Sequence, residues 1–197
     1  TDYPWDGKVA ITLNPRESTE FSLRIRVPNR AVSDLYRMTP DADGIASLAV
    51  NGSRVDPPIE RGYAVLTRTW KAGDRIELEL PLRVQRVHAD ERIEANRGRV
   101  ALKYGPLVYN IEEQDQDIDQ ALSPSSPLAT EWREAFLGGV TVIKGTFADG
   151  SPLLAIPNYA RYNRVEGTFG PMRPERPADG GRPRPFPPTS IIWMREA

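Results

Sequence analysis

The sequence predicts an all-β protein built as two consecutive antiparallel β-sandwich domains. Ile76, Leu78 and Leu80 alternate with Arg75, Glu77 and Glu79, the period-two pattern of a strand with one buried and one wet face. Short runs of this kind recur along all 197 residues with turn signals between them, the spacing expected of sandwiches. The 19 prolines suit turns and strand edges better than helix interiors, and no segment reads as a long helix.

Taken in order, Lys8–Leu13 and residues 20–27 read as a first pair of strands. In the second of them Phe21, Leu23, Ile25 and Val27 face one way and Ser22, Arg24 and Arg26 the other. A polar segment follows Pro28. Residues 45–50 then run into Asn51-Gly52, the strongest short hairpin signal in the chain. Tyr63–Trp70 and residues 75–80 are expected to form a hairpin around Lys71-Ala72-Gly73-Asp74, and residues 83–88 one more strand. Residues 89–96 are polar and break the alternation, so the domains are expected to span 1–95 and 96–197. In the second, Val100, Leu102 and Tyr104 alternate with Arg99, Ala101 and Lys103, Gly105-Pro106 turns the chain, and 107–111 returns it. Residues 112–127 read as an acidic, then Ser/Pro-rich loop. Residues 128–137 are expected to form a short helix stopped by Gly138-Gly139. Strands at 140–147, 153–157 and 191–194 complete the domain, interrupted by an extended Pro/Arg-rich excursion at 173–188.

With 26 basic and 27 acidic residues, net −1, the chain has no global field to steer it toward a polyanion, and nucleic acid is not an expected partner. The absence of cysteine excludes disulfides, thiolate nucleophiles and cysteine–zinc sites within the chain. No run of about 18 apolar residues suggests a membrane span, and no signal peptide is visible at Thr1-Asp-Tyr-Pro-Trp5.

Candidate chemistry is sparse. The single histidine, His88, has no partner near it in sequence and reads as a surface residue at a strand end. Asp115, Asp117 and Asp119 have the opening spacing of a calcium loop, but Gln120 and Ser126 stand where such a loop needs glycine and glutamate, so a solvated acidic loop is the preferred reading. Glu77 and Glu79 share one strand face without a cleft that would separate their pKa values, as paired catalysis requires. No phosphate-binding or nucleophile-elbow motif occurs. Arg173, Arg176, Arg182 and Arg184 make the proline-rich excursion locally basic; an insertion without a partner is preferred over an SH3-type or acidic ligand. No catalytic residue, metal ligand or cofactor is expected here. Of the aromatic residues, most are needed by a core; Trp5, Tyr63 and Tyr159 are the candidates for stacking on a sugar ring. Trp5, beside Pro4, is the one expected to pack against something outside the chain.

Several stretches together resemble the C-terminal region of the β-L-arabinofuranosidase-like enzymes of glycoside hydrolase family 127. They are Thr1-Asp-Tyr-Pro-Trp-Asp-Gly-Lys-Val9, Leu23-Arg-Ile-Arg-Val-Pro28, Val50-Asn-Gly52, Gly62-Tyr63 through Trp70-Lys-Ala-Gly-Asp74, and Leu78-Glu-Leu-Pro81. Arg97-Gly-Arg-Val-Ala-Leu102, Gly105-Pro-Leu-Val-Tyr109, Leu137-Gly-Gly-Val140 and Ile156-Pro157 to Asn163-Arg164 continue the series in order across nearly the whole chain. Two departures stand out: Arg161 occupies a position usually held by tryptophan, and the 173–188 excursion is long.

The resemblance implies a bacterial enzyme in which a helical toroid barrel carries catalysis and two sandwiches follow. It also implies a zinc-held cysteine nucleophile and a glutamate acid/base, both in the barrel; none of these carries over to this chain. The chain would then be an accessory region beginning where the barrel ends, with the barrel as its main partner. A carbohydrate-binding module, or a domain for structural or homo-oligomeric contacts, is the alternative. The resemblance also favours a periplasmic or extracellular setting.

Overall fold

The computed structural model describes residues 1–28, 33–163 and 189–197; the predicted excursion at 173–188 lies outside them. In chain order the strands are β1 (Lys8–Leu13), β2 (Thr19–Arg26), β3 (Tyr36–Thr39), β4 (Ser47–Val50), β5 (Ser53–Arg54), β6 (Ile59–Glu60), β7 (Tyr63–Trp70), β8 (Asp74–Glu79) and β9 (Val84–Ala89). They continue with β10 (Arg99–Tyr104), β11 (Leu107–Glu112), β12 (Ala121–Leu122), β13 (Ala129–Arg133), β14 (Val140–Thr146), β15 (Pro152–Pro157), β16 (Ser190–Ile191) and β17 (Met194–Glu196). Two single-turn 3₁₀ segments, Glu94–Asn96 and Asn158–Ala160, complete the described structure. The chain is all-β, and its sheets pack as sandwiches.

The first sandwich faces a four-stranded sheet, β1-β8-β4-β5, against a three-stranded one, β2-β7-β6. Alternation explains the core. Ile76 and Leu78 of β8, Leu48 and Val50 of β4, and Val9 and Ile11 of β1 point inward from one sheet; Leu23, Ile25, Ala64, Leu66 and Trp70 point inward from the other. The intervening Arg75, Glu77 and Glu79 stay exposed. Trp70 is fully buried, and its indole N–H donates to the Phe21 carbonyl at 3.0 Å.

Two expected strand pairs are corrected here. β7 does not pair with β8, nor β1 with β2: each couple crosses from one sheet to the other, β7 pairing with β2 and β8 with β1. Period-two patterning is the same whether a tight turn closes a hairpin or an arch between sheets. The turn chemistry at 71–74 decides. Asp74, 2% exposed, accepts from the Lys71 N–H at 2.9 Å and from the Asn51 amide at 2.9 Å, while Asn51 Oδ1 accepts from the Arg75 N–H at 2.8 Å. The arch is thereby fastened to the β4–β5 hairpin. That hairpin is as expected: Asn51 and Gly52 both take positive φ, 50° and 77°, the primed-turn geometry that glycine permits.

The second part is one large sheet with β10 at its hub. Its start pairs with β17 and its end with both β9 and β11; β15, β14 and β13 continue outward from β11. All contacts are antiparallel except β12–β17. The sheet wraps a core of Val100, Leu102, Tyr109, Ile111, Leu122, Ile143, Leu153 and Met194. The polar stretch at 89–96 is the connection between β9 and β10, two strands that pair, and β3 joins the same sheet through β9. Tyr36 of β3 also stacks on Trp193, ring centres 6.1 Å apart.

Four further expectations are corrected. Residues 129–133 form a strand rather than a helix, because all five residues of β13 pair in register with β14. The segment at 191–194 is two short strands bent at Ile192-Trp193, the first on β11 and the second on β10. The polar segment after Pro28 contains β3, whose Tyr-Arg-Met-Thr composition is too short for alternation to register. His88 is not a simple surface residue: its Nε2 lies 2.8 Å from Glu196 Oε2, and Arg86 approaches the same carboxylate at 3.6 Å.

Removing the central indole tests the first core: Trp70→Ala is expected to cost about 3–5 kcal/mol in a denaturant titration. A second expectation concerns pH. The Lys71 N–H, then the Asn51 amide, hold the Asp74 carboxyl below its ordinary range. The folded state therefore favours the carboxylate. Its contribution is complete above the unfolded value of about 3.9 and disappears as pH falls through the lower folded value. Melting temperature followed from pH 6 downward should fall less steeply in Asp74→Asn than in the parent chain.

Candidate functional site

Among the described residues, the most exposed aromatic side chains gather around Trp5. The chain start is folded into a turn in which the Trp5 and Asp6 N–H groups both donate to the Asp2 carbonyl, at 2.8 and 3.2 Å. This places the Trp5 ring against Val140 and Val142 of β14, Ile156 of β15 and Ala160. Trp132 of β13 meets it edge-on, centroids 5.9 Å apart and planes at 67°. Tyr159, in the turn after β15, lies 6.4 Å away at 50°. Trp132 is 51% exposed and Tyr159 54%. Gly139, φ 121°, lies directly under the Trp132 ring, where a Cβ would collide with the indole carbons. Beneath Trp5, Tyr104 directs its hydroxyl to the Trp5 carbonyl at 3.5 Å; burial, then the Asp6 charge, push its phenol above the ordinary range. Burial does the same to Tyr159.

Of the three residues expected to meet a sugar, the structure brings Trp5 and Tyr159 together and leaves Tyr63 apart. Tyr63 begins β7 in the three-stranded sheet, with the Arg26 guanidinium 5.2 Å over its ring. Trp132 is the member that sequence reading passes over, because 128–137 reads as a helix. The signal was present in Thr130 and Trp132 alternating with Glu131 and Arg133 on an edge strand.

The polar clusters elsewhere do not assemble a reaction centre. The 115–119 loop borders an open hollow with Arg99 and Arg195, yet Asp117 turns back on its own loop, accepting from the Asp119 N–H at 2.9 Å and the Gln120 amide at 3.0 Å. A smaller cavity of about 160 Å³ lies among Tyr36, Arg37, Asp41, Asp43 and Gln85. Among the described residues no three His, Asp or Glu side chains are grouped to hold a metal ion. With no cysteine in the sequence, the chain does not fit the zinc–thiolate centre that the resemblance implies for the barrel. Among the described residues, each carboxyl whose titration is displaced is displaced downward by its own neighbours: Asp74 as above, Asp90 by Arg92, Asp149 by Ser151, and Glu131 by Lys144 and Arg133.

Fold and site therefore define a two-sandwich β region with an exposed aromatic face. Residues 1–82 match the family model described as "Beta-L-arabinofuranosidase, GH127 middle domain", and residues 84–171 the "Glycoside hydrolase family 127 C-terminal domain". The chain belongs to glycoside hydrolase family 127, of whose β-L-arabinofuranosidase-like members it is the C-terminal region. A curated relative, the non-reducing end β-L-arabinofuranosidase of Bifidobacterium longum subsp. longum, is 34% identical over 124 residues, covering 60% of this chain and 17% of that protein. The crystal structure of a family 127 β-L-arabinofuranosidase from Geobacillus stearothermophilus T6 superposes on all of this chain with TM-score 0.77 and 28% identity, across 30% of its own length. A second solved family 127 β-arabinofuranosidase shares the fold at TM-score 0.78, with 24% identity over 100% of this chain and 31% of its own. The chain thus spans less than a third of the enzymes it resembles.

Because Gly139 combines positive φ with contact to the Trp132 ring, Gly139→Ala is expected to cost more than about 1 kcal/mol. Near-ultraviolet circular dichroism should report displacement of the indole in the same variant.

Proposed function

We propose that this chain is the non-catalytic accessory region of a larger glycoside hydrolase acting on L-arabinofuranosides or related plant glycans. It supports a separate helical-barrel domain in which the glycosidic bond is broken, and needs no cofactor or metal of its own. The observation that carries this reading is a mismatch between family and chemistry. The chain matches a hydrolase family along residues 1–171, yet its displaced carboxyls are held in the charged form by turn and strand neighbours. A glycosidase requires the reverse for its general acid, a carboxyl tuned upward opposite a second carboxylate. The isolated chain is therefore expected to leave an aryl β-L-arabinofuranoside intact; turnover by the purified 197-residue chain would refute the assignment.

A second reading has its own support: Trp132 and Tyr159, both more than half exposed, offer apolar ring surface beside Trp5 of the kind that stacks on sugars. As a carbohydrate-binding module the chain would titrate with arabinofuranosyl oligosaccharides and lose that binding in Trp132→Ala or Tyr159→Ala. Calorimetry showing no saccharide heat at millimolar ligand would eliminate it.

A further inference from the structure

We propose that Asn51 is a site of covalent self-modification, held in check by Asp74 and Arg75. When that clamp opens, the Gly52 nitrogen converts the asparagine side chain to an aspartyl or isoaspartyl carboxylate. The site stands independently of the accessory role proposed above.

The sequence supplies the reactive pair. A glycine after asparagine leaves the attacking nitrogen without a side chain to shield it, and Asn51-Gly52 is the one such pair in the chain. Both residues are exposed. Nothing lies within 4 Å of the point where a Gly52 Cβ would stand, so the turn is open to water. The Gly52 nitrogen bonds to Asn51 Cγ and the Cγ–Nδ2 bond breaks. Ammonia leaves, taking the proton of the Gly52 N–H, and a cyclic succinimide remains. Water then opens either of its carbonyl–nitrogen bonds. Opening at Cγ gives aspartate; opening at the backbone carbonyl gives isoaspartate, whose main chain runs through the side-chain carbon. The balance needs only water.

The native contacts hold the pair short of reaction. Attack requires a near-attack geometry, with the side-chain carbonyl turned toward the following nitrogen. Asn51 instead faces the start of β8. Its N–H donates to the Arg75 carbonyl at 2.8 Å, its Oδ1 accepts from the Arg75 N–H at 2.8 Å, and its Nδ2 donates to Asp74 Oδ1 at 2.9 Å. Asp74 is itself fixed, 2% exposed, with Oδ2 accepting from the Lys71 N–H at 2.9 Å. The reaction therefore waits on a local opening of the arch at 71–74.

The product cannot resume the same contacts. A carboxylate at position 51 brings negative charge to the place from which the amide donated to Asp74, and two anions at that separation oppose each other. Isoaspartate also lengthens the main chain inside the hairpin that the Val50–Ser53 pairing closes. Modification thus runs one way: the arch opens to permit it and is held more loosely afterwards.

The test follows deamidation of the full-length protein during incubation at neutral pH, by peptide mapping of the amide-to-acid mass change at residue 51. The folded protein should deamidate at least about tenfold more slowly than a synthetic peptide of residues 47–55, the protection a hydrogen-bonded turn gives. Asp74→Ala should deamidate at least about tenfold faster than the parent, the factor that a lost hydrogen bond to a charged group supplies. Leu66→Ala weakens the same core away from the turn and should keep the parental rate, with circular dichroism verifying that both variants are folded. Asn51→Asp, which mimics the product, should melt at a lower temperature. Adding Asp74→Asn should restore most of that loss, because the pair again holds one amide and one carboxylate. A parental rate equal to that of the peptide overturns the clamp, whether or not Asp74→Ala folds. Equal acceleration in Asp74→Ala and Leu66→Ala also overturns it, by tracing the reaction to global unfolding. An Asn51→Asp melting temperature equal to the parent's overturns the loosening of the arch.

Discussion

A strand pair that is apolar on both faces requires cover on both, and β14 with β15 is such a pair. Ile143, Leu153 and Ala155 enter the main core of the second part, while Val140, Val142 and Ile156 point the other way. Among the described residues no second sheet lies on that outer face. It is closed instead by Trp5, brought from the start of the chain, with Phe136 and Ala160. Much follows from this one requirement. The turn at residues 2–6 is bound to strands more than a hundred positions away in sequence, so the two sandwiches share a seam. Trp132 and Tyr159 then pack on Trp5 and are left with half their surface in water.

A second seam runs through β3 and β9. β3 belongs by sequence to the first sandwich, but it pairs with β9, and β9 pairs with β10. Gln85 of β9 is buried and donates to the Pro40 carbonyl at 2.8 Å, binding the exit of β3 as well as its length. Nearby, Arg86, His88 and Glu196 join β9 to the last strand, and Arg86 also donates to the Ser123 and Ser126 carbonyls at 3.0 Å each. Deep inside, Glu112 accepts from the Tyr162 N–H at 2.7 Å. These buried polar groups tie separate chain segments together and rigidify the packing between them.

Sequence legibility followed the range of the interaction. β1 and β7 were readable to the residue: β1 alternates cleanly against one core, and β7 is bounded by the turns at Gly62 and Lys71–Asp74. Asn51-Gly52 was readable because its backbone geometry is local. What was not readable was partnership. The arches at 71–74 and between β1 and β2 carry the same inward and outward pattern as hairpins would, and only the contacts of Asp74 with Asn51 and Lys71 reveal the crossing. β13 reads as a helix because its run is short and rich in Glu, Arg and Ala, residues with helical preference; pairing with β14 overrides that preference. The aromatic site was half visible for the same reason. Trp5 and Tyr159 stood out as aromatic residues without an obvious core, whereas Trp132 was hidden inside a misread element, and Tyr63 looked equivalent to them although it belongs to another sheet.

Displaced titration often marks a catalytic site, because burial and charge are arranged there to tune an acid or a base. The physical origin of each displacement decides whether that inference holds. Asp74, Asp90 and Asp149 accept hydrogen bonds from residues two or three positions away, in turns. Glu131 bridges a neighbour on its own strand and a lysine on the next. Such groups stabilise loop and strand geometry by keeping carboxylates charged, and an anion fixed in that way cannot deliver a proton to a leaving oxygen at neutral pH. Among the described residues the displaced carboxyls are therefore structural groups, distinct from the half-exposed rings of Trp132 and Tyr159 that pack on Trp5.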